Sequence, residues 1–210
     1  MGVVERKQRE KEKRASEILE AAKNIFFTKG YSNTTMDDIA RESELAKGTL
    51  YLYFKNKEEL VHAIMYESFK SLKGMIEKAV KKGGTGIEKI RRVGKVIIKY
   101  YMNYSSYFEI LRNFDYNLSV SSETDSMAFQ CSRLIDEMID IFISVLREGV
   151  NDGTIRREID PEKTAILYAN IVTSFLQRMS VMGNIINQRN AFKPEELIEH
   201  LLDFMIHALQ

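Results

Sequence analysis

The sequence has few of the residues that stabilise or interrupt particular fold classes. A single cysteine cannot form an internal disulfide, which excludes a disulfide-stabilised secreted fold and predicts a reducing, cytoplasmic location. Only two prolines occur in 210 residues, and this leaves room for long helices. No apolar run approaches the length of a membrane span, and the charged N-terminus lacks the apolar segment of a signal peptide, so no membrane partner is expected.

The charge of the chain is nearly balanced, but its distribution is not. The 31 Lys and Arg residues against 30 Asp and Glu residues give a net charge of +1. Residues 1–57 hold 12 basic and 9 acidic residues, a net of +3, and residues 58–210 hold 19 and 21, a net of −2. The N-terminal part is therefore mildly basic, which is compatible with a polyanionic partner but does not establish one.

Apolar residues recur with a helical period along the chain, and no stretch alternates as a β-strand does. These patterns predict an all-α protein, with 44% hydrophobic residues to form its core. The glycine-rich stretch 81–86 predicts a linker, the polar stretches 115–123 and 183–193 predict loops, and residues 103–106 predict a weakened helix. The highly charged residues 1–14 predict a solvated helical arm, with contact to DNA phosphate as an equally open alternative.

The first 54 residues predict three helices, of which the second and third are short and separated by a tight turn. Thr35 followed by Asp38 has the form of a capping box and marks the start of the second helix. This layout is typical of a helix-turn-helix DNA-binding module. Other small three-helix bundles have the same layout, so periodicity alone leaves both possibilities open.

The residues of this segment favour the DNA-binding module over another small three-helix bundle. The stretch 26–60 reads FFTKGYSNTTMDDIARESELAKGTLYLYFKNKEEL and closely resembles the N-terminal domain of the TetR family of transcriptional regulators. The resemblance covers about 35 consecutive positions, and the remaining residues match the family in layout only. It implies a charged arm (1–13), a DNA-binding domain (14–57, with the motif at about 37–56), a connecting helix (58–81) and a helical effector-binding and dimerisation domain (82–210).

The resemblance also implies a function. We expect a homodimer that represses transcription by binding a palindromic double-stranded DNA operator and is released by a small-molecule effector. The residues expected to contact DNA lie in or next to the third helix and at two helix N-termini: Thr35, Lys47, Gly48, Thr49, Tyr51, Leu52, Tyr53 and Lys57. Gly48 would allow close backbone approach, Thr49 and Leu52 would face the groove, and the tyrosine hydroxyls would reach phosphates.

For several of these residues a purely structural role stays open. Gly48 could be a helix-packing glycine, Tyr51 and Tyr53 could be half-buried aromatic residues, and Thr35 could be only a helix cap. Leu50 and Phe54 are expected in the core.

Two residues depart from the family pattern. Glu44 stands where a glycine is usual in the turn before the third helix, and because glutamate tolerates positive φ poorly, we expect a different turn. Ala46 stands where a Ser or Thr cap is usual, so a capping hydroxyl is missing.

The second domain is rich in aromatic residues and methionine, which suit an adaptable apolar pocket, although ordinary helical core is the better explanation for any single one of them. We expect an apolar or amphipathic effector, because no pair of charges indicates an ionic one. The expected pocket residues are Tyr101, Tyr104, Phe108, Met138, Phe142, Tyr168, Phe175 and Met179. The expected dimer interface lies on the last two helices, at Ala169, Val172, Leu176, Leu201, Phe204 and Met205.

No arrangement of residues indicates an enzyme, a cofactor or a metal. Cys131 lies in an apolar helical stripe and is expected to be a buried small hydrophobe. His200 and His207 have no carboxylate at metal-ligand spacing. The alternative to a regulator is an all-α dimeric ligand-binding or protein-interaction module whose helix-turn-helix does not act on DNA.

Overall fold

The computed structural model describes residues 2–112, 126–190 and 192–210. Within these ranges the chain is built of helices and contains no β-strand, as the periodicity predicts. The helices are α1 (Val3–Lys29), α2 (Met36–Glu42), α3 (Lys47–Tyr51), α4 (Lys57–Val80), α5 (Gly86–Arg112), α6 (Met127–Asp152), α7 (Pro161–Asn190) and α8 (Pro194–His207).

The chain divides into two compact units. The first comprises Met1–Glu67 and Asn113–Cys131, and the second comprises Ser68–Arg112 and Ser132–Gln210. The division falls within α4, which continues unbroken from Lys57 to Val80. The domain boundaries expected from the sequence, at 57 and 81, therefore stay a prediction.

The first unit packs α1 against α2, and α2 against α3. Helix α1 begins at Val3, so the charged N-terminal residues continue the helix as solvated turns carrying ion pairs such as Arg6–Glu10 at 3.4 Å. It ends at Gly30, whose φ of 82° is accessible to glycine at little cost. Ile18, Ala22 and Phe26 form its buried face, as the helical period predicts.

The second unit has its core where α5, α6, α7 and α8 meet. The core cluster consists of buried apolar residues, namely Ile87, Ile90, Val145, Leu146, Ile155, Ala165, Ile206 and Leu209. Asp160 caps α7 by accepting a hydrogen bond from the backbone N–H of Lys163 at 3.1 Å, and Pro161 follows in the first helical position. Helix α6 ends at Asp152, and Gly153 follows with φ 79°.

Two predictions about helix continuity differ in outcome. The weakened helix at 103–106 is confirmed, since α5 has non-helical backbone angles at Tyr104. The predicted loop over 183–193 is wrong, because α7 continues to Asn190. A glycine inside a helix costs only about 1 kcal/mol relative to alanine, so Gly183 does not end α7. The predicted loop at 115–123 lies outside the described residues, and so does the end of the short helix predicted to close at Phe114.

Among the residues that the structure describes, no helix is long and apolar enough to cross a membrane.

Candidate nucleic-acid interface

Helices α2 and α3 and the turn between them form a helix-turn-helix. Ile39 and Ala40 are the buried residues of α2, and Leu50 is fully buried from α3. Because Leu50 anchors α3 from one side, the opposite side of this short helix is turned outward. Leu50 is thus in the core as expected, whereas Phe54 is only half-buried.

The outward side of α3 carries four of the residues expected to contact DNA. Lys47 and Gly48 are exposed, as are 42% of Tyr51 and 81% of Leu52. A Cβ added at Gly48 would meet no atom within 4 Å, so Gly48 does not pack another helix in this chain. Thr49 and Tyr53 are half-buried beside this surface.

The turn between α2 and α3 keeps the geometry that a glycine would give it. Glu44 has φ 54°, its backbone N–H donates to the Arg41 carbonyl at 3.1 Å, and the N–H of Leu45 donates to the Ala40 carbonyl at 2.9 Å. This bonding pattern is a Schellman motif. The expectation that glutamate changes the turn is therefore wrong, because the two hydrogen bonds hold Glu44 in the left-handed conformation.

The missing cap on α3 is confirmed. Ala46 occupies the N-cap position and makes no side-chain cap hydrogen bond.

Thr35 is confirmed as the cap of α2. The backbone N–H of Asp38 donates to the Thr35 hydroxyl oxygen at 3.1 Å, while the N–H and hydroxyl of Thr35 donate to the Asp38 carboxylate at 2.9 and 2.7 Å. The Lys29 ammonium also donates to this carboxylate at 2.7 Å. The bonds from Lys29 and then from Thr35 hold the pKa of Asp38 well below its usual range.

Lys57, at the start of α4, is held by the residue that follows α1. Its ammonium donates to the Tyr31 carbonyl at 2.9 Å and lies 4.4 Å from the centre of the Tyr31 ring, a cation–π contact. The Tyr31 hydroxyl donates to Glu58 at 3.2 Å, and burial followed by this carboxylate raises the pKa of Tyr31 to about 12. The sequence did not indicate this arrangement, because its partners come from different helices.

Lys47 also has a partner that the sequence analysis missed. Its ammonium lies 2.6 Å from the Asp37 carboxylate, which joins the first turn of α3 to the first turn of α2. Both side chains are more than half exposed. Asp37 lies in the first turn of α2, where the helix dipole favours a negative charge, and this position is the one signal that the sequence offers.

The structure separates the expected pocket residues into two groups. In α5, Tyr101 and Phe108 are buried with their ring centres 5.5 Å apart, whereas Tyr104 at the kink is 39% exposed. Tyr100 lies 5.0 Å from Tyr104 between ring centres, and its hydroxyl is hydrogen bonded to the buried Ser68.

The second group lies on α6 and α7. Phe142 and Tyr168 pack against the core cluster with ring centres 6.1 Å apart, and the Tyr168 hydroxyl donates to the Met205 carbonyl at 2.6 Å. These contacts give both residues a packing role. Met179 is buried, and Met138 and Phe175 are half-buried. Their assignment to an effector pocket stays a prediction.

The expected dimer-interface residues differ in exposure. Leu176 and Met205 are only 3% and 6% exposed within this chain, because their side chains pack inside the second unit. Their assignment to the dimer interface stays a prediction. Phe204 is 69% exposed, and the others, Ala169, Val172 and Leu201, are half-buried. Helix α7 also exposes apolar side chains that the prediction missed, namely Ile166, Leu167 and Ile171.

Cys131 is buried, as expected, and its thiol donates to the His62 carbonyl at 3.4 Å. Burial raises the pKa of this thiol to about 12, so it is protonated at neutral pH and unsuited to nucleophilic chemistry.

The helix-turn-helix with its exposed third helix defines a DNA-binding protein of the helix-turn-helix class. Residues 18–64 match the family model described as "Bacterial regulatory proteins, tetR family". Residues 18–64 are therefore the N-terminal domain of the tetR family of bacterial regulatory proteins.

Relatives that align over most of their length carry regulator names. The chain is 28% identical over 161 residues to the "Uncharacterized HTH-type transcriptional regulator YhgD" of Bacillus subtilis (strain 168), covering 76% of this chain and 80% of that one. It is 25% identical over 158 residues to the "Fatty acid metabolism regulator protein" of the same organism, covering 72% of this chain and 76% of that one. It is 24% identical over 167 residues to the "HTH-type transcriptional repressor DhaR" of Mycobacterium sp. (strain GP1), covering 80% and 82%.

Solved structures agree with the fold over almost the whole chain. A tetR-family regulatory protein from Rhodococcus RHA1 superposes with a TM-score of 0.71 at 20% identity, covering 94% of this chain and 97% of that one. The regulator FadR from Bacillus subtilis, solved in complex with stearoyl-CoA, gives a TM-score of 0.62 at 20% identity, covering 93% and 99%. At these identities the likeness concerns the fold alone.

Proposed function

We propose that this chain represses transcription by binding a palindromic operator as a homodimer, and that a small apolar or amphipathic effector releases it. The observation that carries the DNA-binding part is the outward side of α3, where Lys47, Gly48, Tyr51 and Leu52 are exposed together. Leu50 holds this short helix from the opposite side. A helix presented in this way fits the major groove of DNA.

The residues of this surface suit different parts of a duplex. Gly48 has no side chain and faces open space, which allows the backbone to approach the DNA closely. Thr49 and Leu52 suit a base edge or a thymine methyl group, and Lys47 suits phosphate or a guanine edge. The hydroxyls of Tyr51 and Tyr53 suit phosphates.

Lys57 and Thr35 differ in how readily they could bind phosphate. The Lys57 ammonium has three donors and uses one on the Tyr31 carbonyl, so it retains donors for an anion at the N-terminus of α4. The Thr35 hydroxyl gives its only hydrogen to Asp38 and must leave that carboxylate before it can donate to DNA. Lys57 is therefore the stronger proposal of the two.

The effector class is proposed from two sources. One relative is named for fatty acid metabolism, and one solved structure of the same fold holds stearoyl-CoA. The second unit of this chain contains an aromatic cluster at the α5 kink, formed by Tyr100, Tyr101, Tyr104 and Phe108. Aromatic side chains suit the acyl chain of an amphipathic ligand, so a long-chain acyl-CoA is the first compound to test.

The experiment is duplex selection followed by a salt titration. The protein is incubated with a random-sequence duplex library, and the recovered duplex is compared with a scrambled duplex of the same length and composition. We expect a palindromic sequence whose affinity falls steeply between roughly 50 and 200 mM salt, as condensed counterions are released. Recovery of no duplex, or affinity that does not depend on salt, would instead support a ligand-binding or protein-interaction module.

The effector part is tested on the same complex. Stearoyl-CoA is added to the protein bound to its selected duplex, with free coenzyme A at equal concentration as the control. Release by stearoyl-CoA alone supports an acyl effector. If neither compound releases the DNA while the duplex still binds tightly, the acyl-CoA proposal fails and the DNA-binding proposal stands.

A further inference from the structure

All four lysines between residues 29 and 57 are engaged by other groups of the protein. Their partners are Asp38 for Lys29, Asp37 for Lys47, Glu59 for Lys55 and the Tyr31 carbonyl for Lys57. Three of these partners are carboxylates and the fourth is a neutral carbonyl, so three of the four lysine charges of this segment are paired within the chain. A DNA phosphate that binds one of these lysines has to compete with the partner already present.

The Asp37–Lys47 pair differs from the others in its place and exposure. Asp38 is nearly buried on its side chain (16% exposed) and completes the cap of α2, so the Lys29 pair belongs to the framework of the fold. Asp37 and Lys47 are 57% and 58% exposed and lie in the first turns of α2 and α3. An exposed pair of this kind contributes little to folding, because solvent screens its charges.

We propose that Asp37 is a specificity-determining residue, which holds the Lys47 ammonium away from DNA unless the rest of the surface fits the operator. This inference rests on the proposed function. On a poorly fitting duplex, Lys47 stays on Asp37, and the phosphate contact is not made. On the operator, the remaining contacts bring a phosphate or guanine edge close enough to take the ammonium from the carboxylate.

Electrostatics give the direction of the effect. The hydrogen bond from Lys47 to Asp37 raises the pKa of the lysine, so the ammonium is charged across the neutral range and is available to phosphate once released. When it leaves, the Asp37 carboxylate is unpaired beside a polyanion, and the two negative charges repel. This cost arises only on a duplex that takes the ammonium, so Asp37 weakens binding to the operator more than binding to other sequences.

The test compares Asp37→Asn with Glu42→Gln, which removes the same charge from the exposed last residue of α2. Affinity for the selected and the scrambled duplex is measured from 50 to 300 mM salt. For Asp37→Asn we expect tighter binding to both duplexes, with the larger gain, roughly 3- to 10-fold, on the selected duplex, because only there does the wild-type protein separate the ion pair. The salt slope on the scrambled duplex should steepen by about 0.9, the value for one added phosphate contact. Glu42→Gln should change neither the ratio of the affinities for the selected and scrambled duplexes nor the salt slope.

A second pair of variants shows whether Asp37 acts through Lys47. In the Lys47→Met background, adding Asp37→Asn should leave the salt slope on the scrambled duplex unchanged, because no ammonium is left to form the new contact. The same steepening in that background would overturn the proposal in favour of general repulsion by Asp37. An unchanged selected-to-scrambled ratio in Asp37→Asn would overturn it as well.

Folding and function are controlled separately. The thermal melting of each variant, followed by circular dichroism, identifies any loss of α2. The duplex affinity of a variant that melts at the wild-type temperature is compared directly with that of the wild type. If the wild-type protein selects no duplex, the proposed function has failed. If it selects one and Asp37→Asn discriminates as the wild type does, only the role of Asp37 has failed.

Discussion

Glu44 is the non-glycine residue with positive φ among the residues that the structure describes, at 54°. The left-handed region brings Cβ close to the backbone carbonyl and costs a residue with a side chain roughly 1 kcal/mol or more, whereas glycine has no such cost. The two Schellman hydrogen bonds from the backbone of Glu44 and Leu45 hold the conformation in place. The turn between α2 and α3 is thus kept at an energetic cost.

Glu44→Gly should therefore stabilise the protein, by about 0.5–1 kcal/mol, once the larger chain entropy of unfolded glycine is set against the relief of strain. Urea unfolding followed by circular dichroism measures the change. Glu42→Gly is the matched control, since it removes the same side chain two positions earlier but inside α2, where glycine should destabilise by about 1 kcal/mol. Destabilisation by both substitutions would contradict the strain interpretation.

At the scale of elements, the start of α5 is fixed by the end of α6. The backbone N–H of Gly86 donates to the Asp152 carboxylate at 2.7 Å, and that of Ile87 donates to the Thr154 hydroxyl at 3.3 Å. These bonds satisfy N-terminal donors that have no partner within α5. The bonds from Thr154 and then from Gly86 lower the pKa of Asp152, which keeps its carboxylate ionised at neutral pH. The helices approach closely because Gly86 lies against Gly149.

Gly86→Ala should disrupt this contact. A Cβ at Gly86 would overlap the Gly149 backbone and lie 3.0 Å from the Val145 carbonyl oxygen, and backbone cannot move aside as a flexible side chain can. We expect a loss of about 1–3 kcal/mol, as for other overpacked interiors, measured by thermal and urea unfolding.

Gly74→Ala is the control for this substitution. Gly74 lies inside α4, and a Cβ there would meet no atom within 4 Å. Alanine should stabilise that helix by about 0.5–1 kcal/mol. Equal effects at the two positions would show that helix propensity, and not the close approach of α5 and α6, determines the outcome.

At the scale of the whole molecule, the proposed dimer would concentrate charge at its DNA-binding parts. Residues 1–57 carry a net charge of +3 in each chain, so two chains present +6. In the second unit, α7 and α8 expose large apolar side chains, namely Ile166, Leu167, Ile171 and Phe204. Exposed apolar residues on adjacent packed helices are typical of a subunit interface.

Leu167→Glu should dissociate the dimer and, with it, weaken binding to a palindromic duplex at least 10-fold, because each monomer then contacts one half-site. Sedimentation velocity measures the oligomeric state, and the duplex titration measures the affinity. Met102→Glu is the control, since Met102 on α5 is 57% exposed against 56% for Leu167. A dimer that persists in Leu167→Glu would place the interface elsewhere.

The helix-turn-helix could be predicted in detail because its determinants are local. The Thr35–Asp38 capping box, the buried Leu50 and the missing cap at Ala46 each depend on a few neighbouring residues, and the structure confirms all three. The kink near residue 104 followed from the same local reasoning. The loop predicted over 183–193 was wrong because one glycine destabilises a helix by little compared with the stability that the other residues of a long helix contribute.

The sequence by itself determined the all-α class, the resemblance of residues 26–60 to the TetR family and the position of the helix-turn-helix. The tertiary structure decided which apolar stripe of α7 is exposed, and showed that Leu176 and Met205 are buried. It also decided the partners of Lys47 and Lys57. The physical reason is that the sequence period shows only that a helix has an apolar face or carries a charged side chain. The residue that contacts this face or charge lies elsewhere in the chain and is brought there by packing.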